Sequence, residues 1–417
     1  MKILMCNSYY YLRGGSERCF FDLTALLEAH GHEVIPFSMV DERNRPTPYA
    51  KYFISHVDFP SQLGQDASVR SKFETVERVL YSREARRQIE RLLAATRPDI
   101  AHIHGIAQET SPSILPSIKK SGIPIVQTLH DYKLLCPNTN FVSHGQICER
   151  CKVHRYHNVL LHRCKRDSLA ASFLAGLEMA VHKMLQIYER NIDVFITPSE
   201  FLRDKLVEYG IRNKIVHLPN FINLQGVQAG DKPEDYFIYY GRVTGIKGVR
   251  TLVQAMLNVR KSHLLIAGTG DLEEELQAFV HENRLENVSF LGHLDADELF
   301  PLVRKAAFSI VPSEWYENYS MSVIESLARS TPVIGARIGG IPEQVIDGWN
   351  GLLFEPGNVA QLSEKIDFML SHPAVRQDMG RNGRAQVEKI NGSTRHYQET
   401  LAIYRELLGW NTRTAAD

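Results

Sequence analysis

Two stretches of this chain repeat one alternation, in which short, continuously apolar runs are separated by longer amphipathic ones. Before residue 222 the apolar runs are KILMCN, HEVIPFS, IAHIHG, PIVQTLHD and DVFITPS, with RCFFDLTALLEAHG and the helical stretch VERVLYSREARRQIERLLAA between them. Runs that are apolar on both faces are strands buried on both sides, and their alternation with helices predicts a parallel sheet covered by helices. The pattern breaks at 131–190, where a Cys- and His-rich insert leads into the apolar helix SLAASFLAGLEMAVHKMLQIYE. It stops at QGVQAGDKPEDY, a Gly/Asp/Pro segment without periodicity that reads as a linker. It then restarts with YFIYYG, VRTLVQAMLNV, HLLIAG, DLEEELQAFVHEN, VSFLG, ADELFPLVRKA, FSIVPS, MSVIESLARS and PVIGAR. The expectation is an α/β protein of two doubly wound, Rossmann-like domains facing a central cleft. Residues 1–222 form the first, with the insert at 131–168, and 223–392 form the second. The last segment, 393–417, contains a helix that returns to brace the first domain.

Charge narrows the partners. The chain of 417 residues carries 48 basic and 48 acidic side chains, so it lacks the basic excess of a dedicated nucleic-acid binder. Up to Ile222 there are 29 basic and 23 acidic residues, leaving 19 and 25 beyond it, so the halves carry about +6 and −6. MKILMCN reads as a buried strand rather than a leader, and no run reaches about 18 apolar residues. The expected location is the cytoplasm, free or peripheral on the cytoplasmic face of a membrane.

In open α/β sheets ligands lie beyond the carboxyl ends of the strands, and four candidate features fall there. Arg13-Gly14-Gly15-Ser16-Glu17 follows the first strand and opens a helix, where backbone N–H groups favour an anion; an ordinary Gly-Gly turn is the plainer reading. Gly241-Arg242-Val243-Thr244-Gly245-Ile246-Lys247-Gly248 sets a planar fork and a point charge across a glycine turn, suited to a diphosphate or simply a solvated basic loop. Glu317-Asn318-Tyr319-Ser320-Met321-Ser322-Val323-Ile324-Glu325 offers one carboxylate in a loop and one in a helix for separate sugar hydroxyls, with the Ser320 and Met321 amides available to a phosphate. His130, ending PIVQTLHD, stands where it can donate to a sugar hydroxyl, whereas His102 suits a core histidine better.

Together these residues resemble the retaining glycosyltransferases of the GT-B fold, in the large family that includes bacterial mannosyl- and glucosyltransferases of cell-surface polysaccharide, lipopolysaccharide and glycolipid synthesis. The resemblance runs through SEFLRDKL, LPNFIN, GRVTGIKG, IAGTGD, VSFLG and ENYSMSVIESLARSTPVIGARIGGIPE, with its E-x7-E pair. It implies transfer of a hexosyl group from a nucleotide diphosphate sugar to a saccharide or polyprenyl-diphosphate-linked acceptor. Arg242 and Lys247 would neutralise the leaving diphosphate in place of a divalent cation, so no catalytic metal is expected. Glu317 would hold the sugar, Glu325 the ribose, Gly15 a phosphate, and His130 would lie at the reaction centre, while Val288–Gly292 would border the base. Where family members show Gly-Phe-Gly after the first Glu, this chain has Asn318-Tyr319-Ser320. Nucleotide-sugar epimerases and phosphorylases share the architecture, and a Cys/His nucleic-acid module is the non-enzymatic alternative.

The insert holds Cys136, Cys148, Cys151 and Cys164 as C-x11-C-x2-C-x12-C, half of a zinc-ribbon pattern. A structural zinc ion, an iron–sulfur cluster and free thiols all remain open on this spacing. Cys6 and Cys19 lie in apolar settings as core residues. From Cys148 to Asp167 six basic residues face two acidic ones, a pattern suited to an anionic membrane surface or to a solvated face.

Overall fold

The computed structural model describes residues 1–57, 69–230 and 233–410. Two six-stranded sheets, both wholly parallel, form the cores of two domains. The first sheet contains β1 (Lys2–Cys6), β2 (Glu33–Phe37), β3 (Ile100–Ile103), β4 (Ile125–Thr128), β7 (Val194–Thr197) and β8 (Lys214–His217), in the order β2-β1-β3-β4-β7-β8. The second contains β9 (Tyr236–Tyr240), β10 (His263–Ala267), β11 (Val288–Gly292), β12 (Ser309–Val311), β13 (Val333–Ala336) and β14 (Gly351–Phe354), in the order β11-β10-β9-β12-β13-β14. The order reverses between β1 and β3 in one sheet and between β9 and β12 in the other. At such points the crossover helices pass to opposite faces and leave a crevice at the strand ends.

The apolar strands are buried throughout: Ile3, Leu4, Met5, Phe237, Ile238 and Ile334 expose nothing. A Leu or Ile so placed contributes about 1.5–3 kcal/mol through burial. The expected single helix VERVLYSREARRQIERLLAA is two helices, Val69–Tyr81 and Arg83–Thr96. Ser82 separates them, taking an extended backbone so that its hydroxyl accepts from the Ala85 amide and caps the second helix. A propensity pattern alone does not distinguish a mid-helix serine from a cap.

The insert contributes a two-stranded hairpin, β5 (Val142–Ser143) with β6 (Gln146–Ile147), and a short helix, His157–Leu161, before the long helix Leu169–Leu185. Ser168 caps the long helix, and its Glu178 is fully buried, where it accepts from Lys133 Nζ and Gln108 Nε2, each at 2.7 Å.

The final helix, Ser393–Leu407, lies on the first domain. Tyr404 OH is 2.6 Å from His102 Nδ1, Tyr397 OH is 2.9 Å from His32 Nε2, and Lys214 pairs with Glu406. The chain crosses between domains near Ile222 and again near Asn391, and the crossings touch: Ile222 N–H donates to Asn391 O at 2.9 Å, and Asn391 Nδ2 donates to Asn220 O at 2.7 Å. Among the described residues no helix is long and apolar enough to cross a membrane.

Candidate active site

Each of the four sequence features follows a central strand. Gly14-Gly15 follows β1, His130 follows β4, the Gly241–Gly248 loop follows β9, and the Glu317 loop follows β12. Three of them flank the switch points and His130 follows the strand next to β3, so all four lie at the carboxyl ends of central strands.

Glu317 is the best-anchored of these residues. It is buried, and its Oε1 accepts from Lys247 Nζ at 2.5 Å, Ser313 Oγ at 2.7 Å and Trp315 Nε1 at 2.8 Å. Burial acts to push this carboxyl up, but Lys247 and the two neutral donors outweigh it and hold the pKa below its ordinary value. Lys247 ends the single 3-10 turn Gly245–Lys247, and Gly248, at φ 68°, reverses the chain into the next helix. A Cβ on Gly248 would stand 1.8 Å from Pro312 O, so close packing of the β9 and β12 loops requires glycine there. Arg242 lies exposed at the start of the same loop.

The backbone of Glu317 is held equally closely. Gly340 N–H donates to Glu317 O at 2.7 Å, and a Cβ on Gly339 would meet Glu317 O at 2.3 Å. The Gly-Gly of ARIGGIPE is thus a support for the Glu317 loop, and any side chain at Gly339 would displace that loop.

Glu325 sits inside the helix Met321–Leu327 and is buried. Its Oε1 accepts from Arg18 Nη1 at 2.5 Å across the cleft, while burial outweighs Arg18 and Arg329 and leaves the carboxyl raised. The start of this helix faces the start of the helix Gly15–Ala29. Met321 Cγ lies 3.7 Å from where a Gly15 Cβ would be, and Cys19 Sγ is 3.8 Å from Met321 Sδ. Neither Gly14 nor Ser320 supplies a side-chain cap. Two uncapped helix N-termini meeting in a cleft present their positive ends to one another, an arrangement that favours an anion between them.

The amides do not match expectation throughout. The Ser320 N–H is taken by Gln344 Oε1 at 2.8 Å, and Ser320 O accepts from Gln344 Nε2 at 2.9 Å, so Ser320 is fixed by a side chain instead of offering its amide to a phosphate. That leaves Met321 as the candidate at this turn.

His130 is partly buried at the end of β4, and its Nε2 is 2.8 Å from His104 Nδ1. Burial lowers its pKa to about 4, so near neutral pH it is an uncharged ring with Nδ1 left for a ligand. His104 stacks on His102, ring centroids 4.6 Å apart, and His102 is closed off by Thr128 Oγ1 and Tyr404 OH. His102 is accordingly a core residue, and His104 is the link from the core to His130.

Several contributors act through partners that their sequence positions do not reveal. Arg18 reaches Glu325 from the other domain. Asn318, in the segment that departs from Gly-Phe-Gly, donates through Nδ2 to Leu129 O at 2.9 Å and accepts from Ser199 Oγ at 2.7 Å, and Tyr319 OH is 2.7 Å from Asn391 Nδ2. Asn318 therefore ties this loop to the first domain, beside His130, and Tyr319 ties it to the crossing at Asn391. Glu343 accepts from the Glu200 and Phe201 amides at 2.7 Å, capping a helix of the opposite domain. One-dimensional spacing carries no sign of such partnerships across a cleft.

The insert borders this region. Glu149, between Cys148 and Cys151, accepts from Lys205 Nζ at 2.7 Å, Tyr316 OH at 3.0 Å and Tyr209 OH at 3.2 Å, and Tyr316 immediately precedes Glu317. Cys136, Cys148, Cys151 and Cys164 are free thiols that line one small cavity with Phe141 and Val159. Among the described residues no group of three or more His, Cys, Asp or Glu side chains is already arranged to hold a metal ion.

Comparison with known proteins fits this architecture. Residues 13–225 match the family model described as Glycosyltransferase Family 4, and residues 222–386 match that of Glycosyl transferases group 1. An uncharacterised glycosyltransferase of Methanocaldococcus jannaschii is 32% identical over 201 residues, 48% of this chain and 56% of that protein. Glycogen synthase of Mycobacterium tuberculosis is 30% identical over 223 residues, 51% of this chain and 54% of that protein. The matches thus span little more than half the length of these curated relatives. Among solved structures, sucrose-phosphate synthase from Thermosynechococcus elongatus superposes with a TM-score of 0.73 at 20% identity, covering 98% of this chain and all of that one. Anabaena HepE in complex with UDP gives 0.65 at 18% identity, covering 97% and 100%. The fold is GT-B.

Proposed function

Because the chain belongs to the glycosyltransferases of family 4 and group 1, we propose that it transfers a hexosyl group from a nucleoside diphosphate sugar to an acceptor hydroxyl with retention of anomeric configuration. The observation that carries this reading is the juxtaposition of the Lys247–Glu317 pair with two uncapped helix N-termini at the facing switch points. The neighbour solved with UDP-glucose supports the donor class.

The donor diphosphate lies between the Gly15 and Met321 helix starts, where Arg242 and Lys247 neutralise the charge that grows on it as the glycosidic bond breaks. Glu317 accepts hydrogen bonds from the sugar hydroxyls. Glu325 exchanges its contact with Arg18 for the ribose hydroxyls, and the base rests along Val288–Gly292. Neutral His130 donates to the sugar beside the anomeric carbon. The acceptor hydroxyl attacks from the face the phosphate leaves, and the departing phosphate oxygen takes its proton. Catalysis rests on preorganised charge and on positioning by the closed cleft.

The test is a panel of nucleotide sugars scored by nucleotide release with and without saccharide acceptors. Release that depends on an acceptor and collapses in Glu317→Ala is the expected result. Interconversion of the donor without an acceptor would replace transfer with epimerisation, and phosphate-dependent cleavage would replace it with phosphorolysis.

The acceptor is a saccharide or a polyprenyl-diphosphate-linked saccharide presented at an anionic membrane surface. Support comes from the exposed apolar side chains of Leu161, Leu169, Phe173 and Met184 beside the exposed Arg155, Arg163 and Arg166. Flotation with vesicles containing anionic lipid is expected to carry the protein upward at low salt and to release it at high salt. Equal recovery with neutral vesicles rejects the membrane contact.

A further inference from the structure

The four cysteines of the insert are unusual in their surroundings. They come from three separate stretches of chain, yet all line one cavity, and the backbone is tied so as to bring them there. Cys148 N–H donates to Phe141 O at 2.7 Å and Cys164 N–H to Val159 O at 3.1 Å, and both Phe141 and Val159 line the same cavity.

The segment has little else to hold it. Its regular structure is a four-residue hairpin and a five-residue helix. Among the described residues, eight of the thirteen non-glycine residues with positive φ, from Thr139 to Asp167, fall within it. Such backbone is costly and persists only where other interactions determine it.

Charge supplies an independent observation. Four thiolates on one divalent cation carry a net charge of −2, and between Cys148 and Asp167 the sequence sets Arg150, Lys152, Arg155, Arg163, Lys165 and Arg166 against Glu149 and Asp167. Arg150 Nη1 is 3.7 Å from Cys148 Sγ.

We propose that Cys136, Cys148, Cys151 and Cys164 bind one zinc(II) ion in a closed, structural four-thiolate site that holds the insert against the cleft. As each sulfur–zinc bond forms, its thiol gives a proton to solvent, and no electron is exchanged. The ion supplies the mutual attraction that four thiols lack, and four protein ligands leave no position open for water or substrate. Zinc then fixes the Cys148–Cys151 knuckle, and with it Glu149, whose carboxylate receives Tyr316 beside Glu317. The site is a support for the active-site loop and takes no part in the chemistry.

The experiment is elemental analysis of the full chain purified without chelators or a metal-binding tag, combined with titration by an organomercurial in the presence of a zinc indicator dye. One zinc per chain, released as the thiols are consumed, is the expected result, with Cys136→Ser and Cys151→Ser retaining less than about a tenth and Cys6→Ala retaining all of it. Should the serine variants fail to fold, growth of the unaltered chain on cobalt decides the matter, since four thiolates give the strong visible bands of tetrahedral cobalt(II). Six reactive thiols with no metal, iron with inorganic sulfide, or two disulfides would each overturn the proposal. None of these readouts depends on sugar transfer, so they stand apart from the transferase assignment.

Discussion

Lys247→Ala is expected to lower kcat/KM by about 10²–10³, the range seen when one fixed charge donor to a developing anion is removed. The same change strips Glu317 of its counter-ion. With Lys247 gone, burial is opposed only by Ser313 and Trp315, and the carboxyl pKa climbs from below its ordinary value. The acid limb of the kcat/KM profile therefore moves to higher pH, a shift that simple loss of diphosphate affinity does not produce. Breaking a buried ion pair costs about 3–5 kcal/mol, and Lys247, being partly exposed, places this one at the low end or under it. Melting curves recorded with the kinetics separate unfolding from the chemical effect. Unchanged turnover would remove both Lys247 and Glu317 from the site.

Acid is expected to destabilise the protein well before its carboxylates titrate. His130 and His396 are lowered to about 4 and His102 to about 3, in each case chiefly by burial, and His104 falls well below its ordinary value for the same reason. These four rings are neutral in the folded state down to those values but charge in the unfolded chain as pH falls through about 6.5. The unfolded state then binds more protons, and stability drops as pH falls. Each ring contributes a slope of about 1.4 kcal/mol per pH unit, so the four together approach about 5 kcal/mol per unit below 6.5. Asp131, Glu325 and Glu343, raised mainly by burial, take up protons in the folded state first and oppose this trend nearer the carboxylate range. The steep region accordingly lies between about pH 6.5 and 5. Urea unfolding at half-unit steps of pH measures it, and His130→Gln is expected to remove one ring's share of the slope. A flat profile over that interval would contradict the buried, neutral histidines.

The sequence-to-structure comparison divides along a physical line. Strands that are apolar on both faces, such as KILMCN and YFIYYG, announce themselves, because burial on both sides of a parallel sheet leaves no polar positions to confuse the pattern. The edge strands β8 (KIVH) and β14 (GLLF) lack this signature. One is only half-buried and begins with Lys, and the other is four residues long and begins with Gly. The loops carrying Glu317, Lys247, Gly15 and His130 could be placed at strand ends because sequence order fixes where a strand points. Arg18, Asn318 and Glu343 could not, since their partners lie more than a hundred residues away in the other domain. Ser320 shows the same limit in reverse, as its amide is promising in sequence and already engaged by Gln344 in space.

The paired crossings at Ile222 and Asn391 have a mechanical consequence for the cleft, which under the proposed function admits a donor and then excludes water. A single connecting strand would leave the domains free to swing, slide and twist. Two adjacent connections, hydrogen-bonded to each other, work as the pin of a hinge. Rotation about the line through them is permitted, while translation would have to stretch both at once. The helix 393–407, clamped to the first domain through Tyr404 and Glu406, anchors the second of these connections to that domain. Opening and closing of the cleft thereby reduce to one angular coordinate, and each closure returns Lys247 and Glu317 to the same station opposite Gly15 and His130.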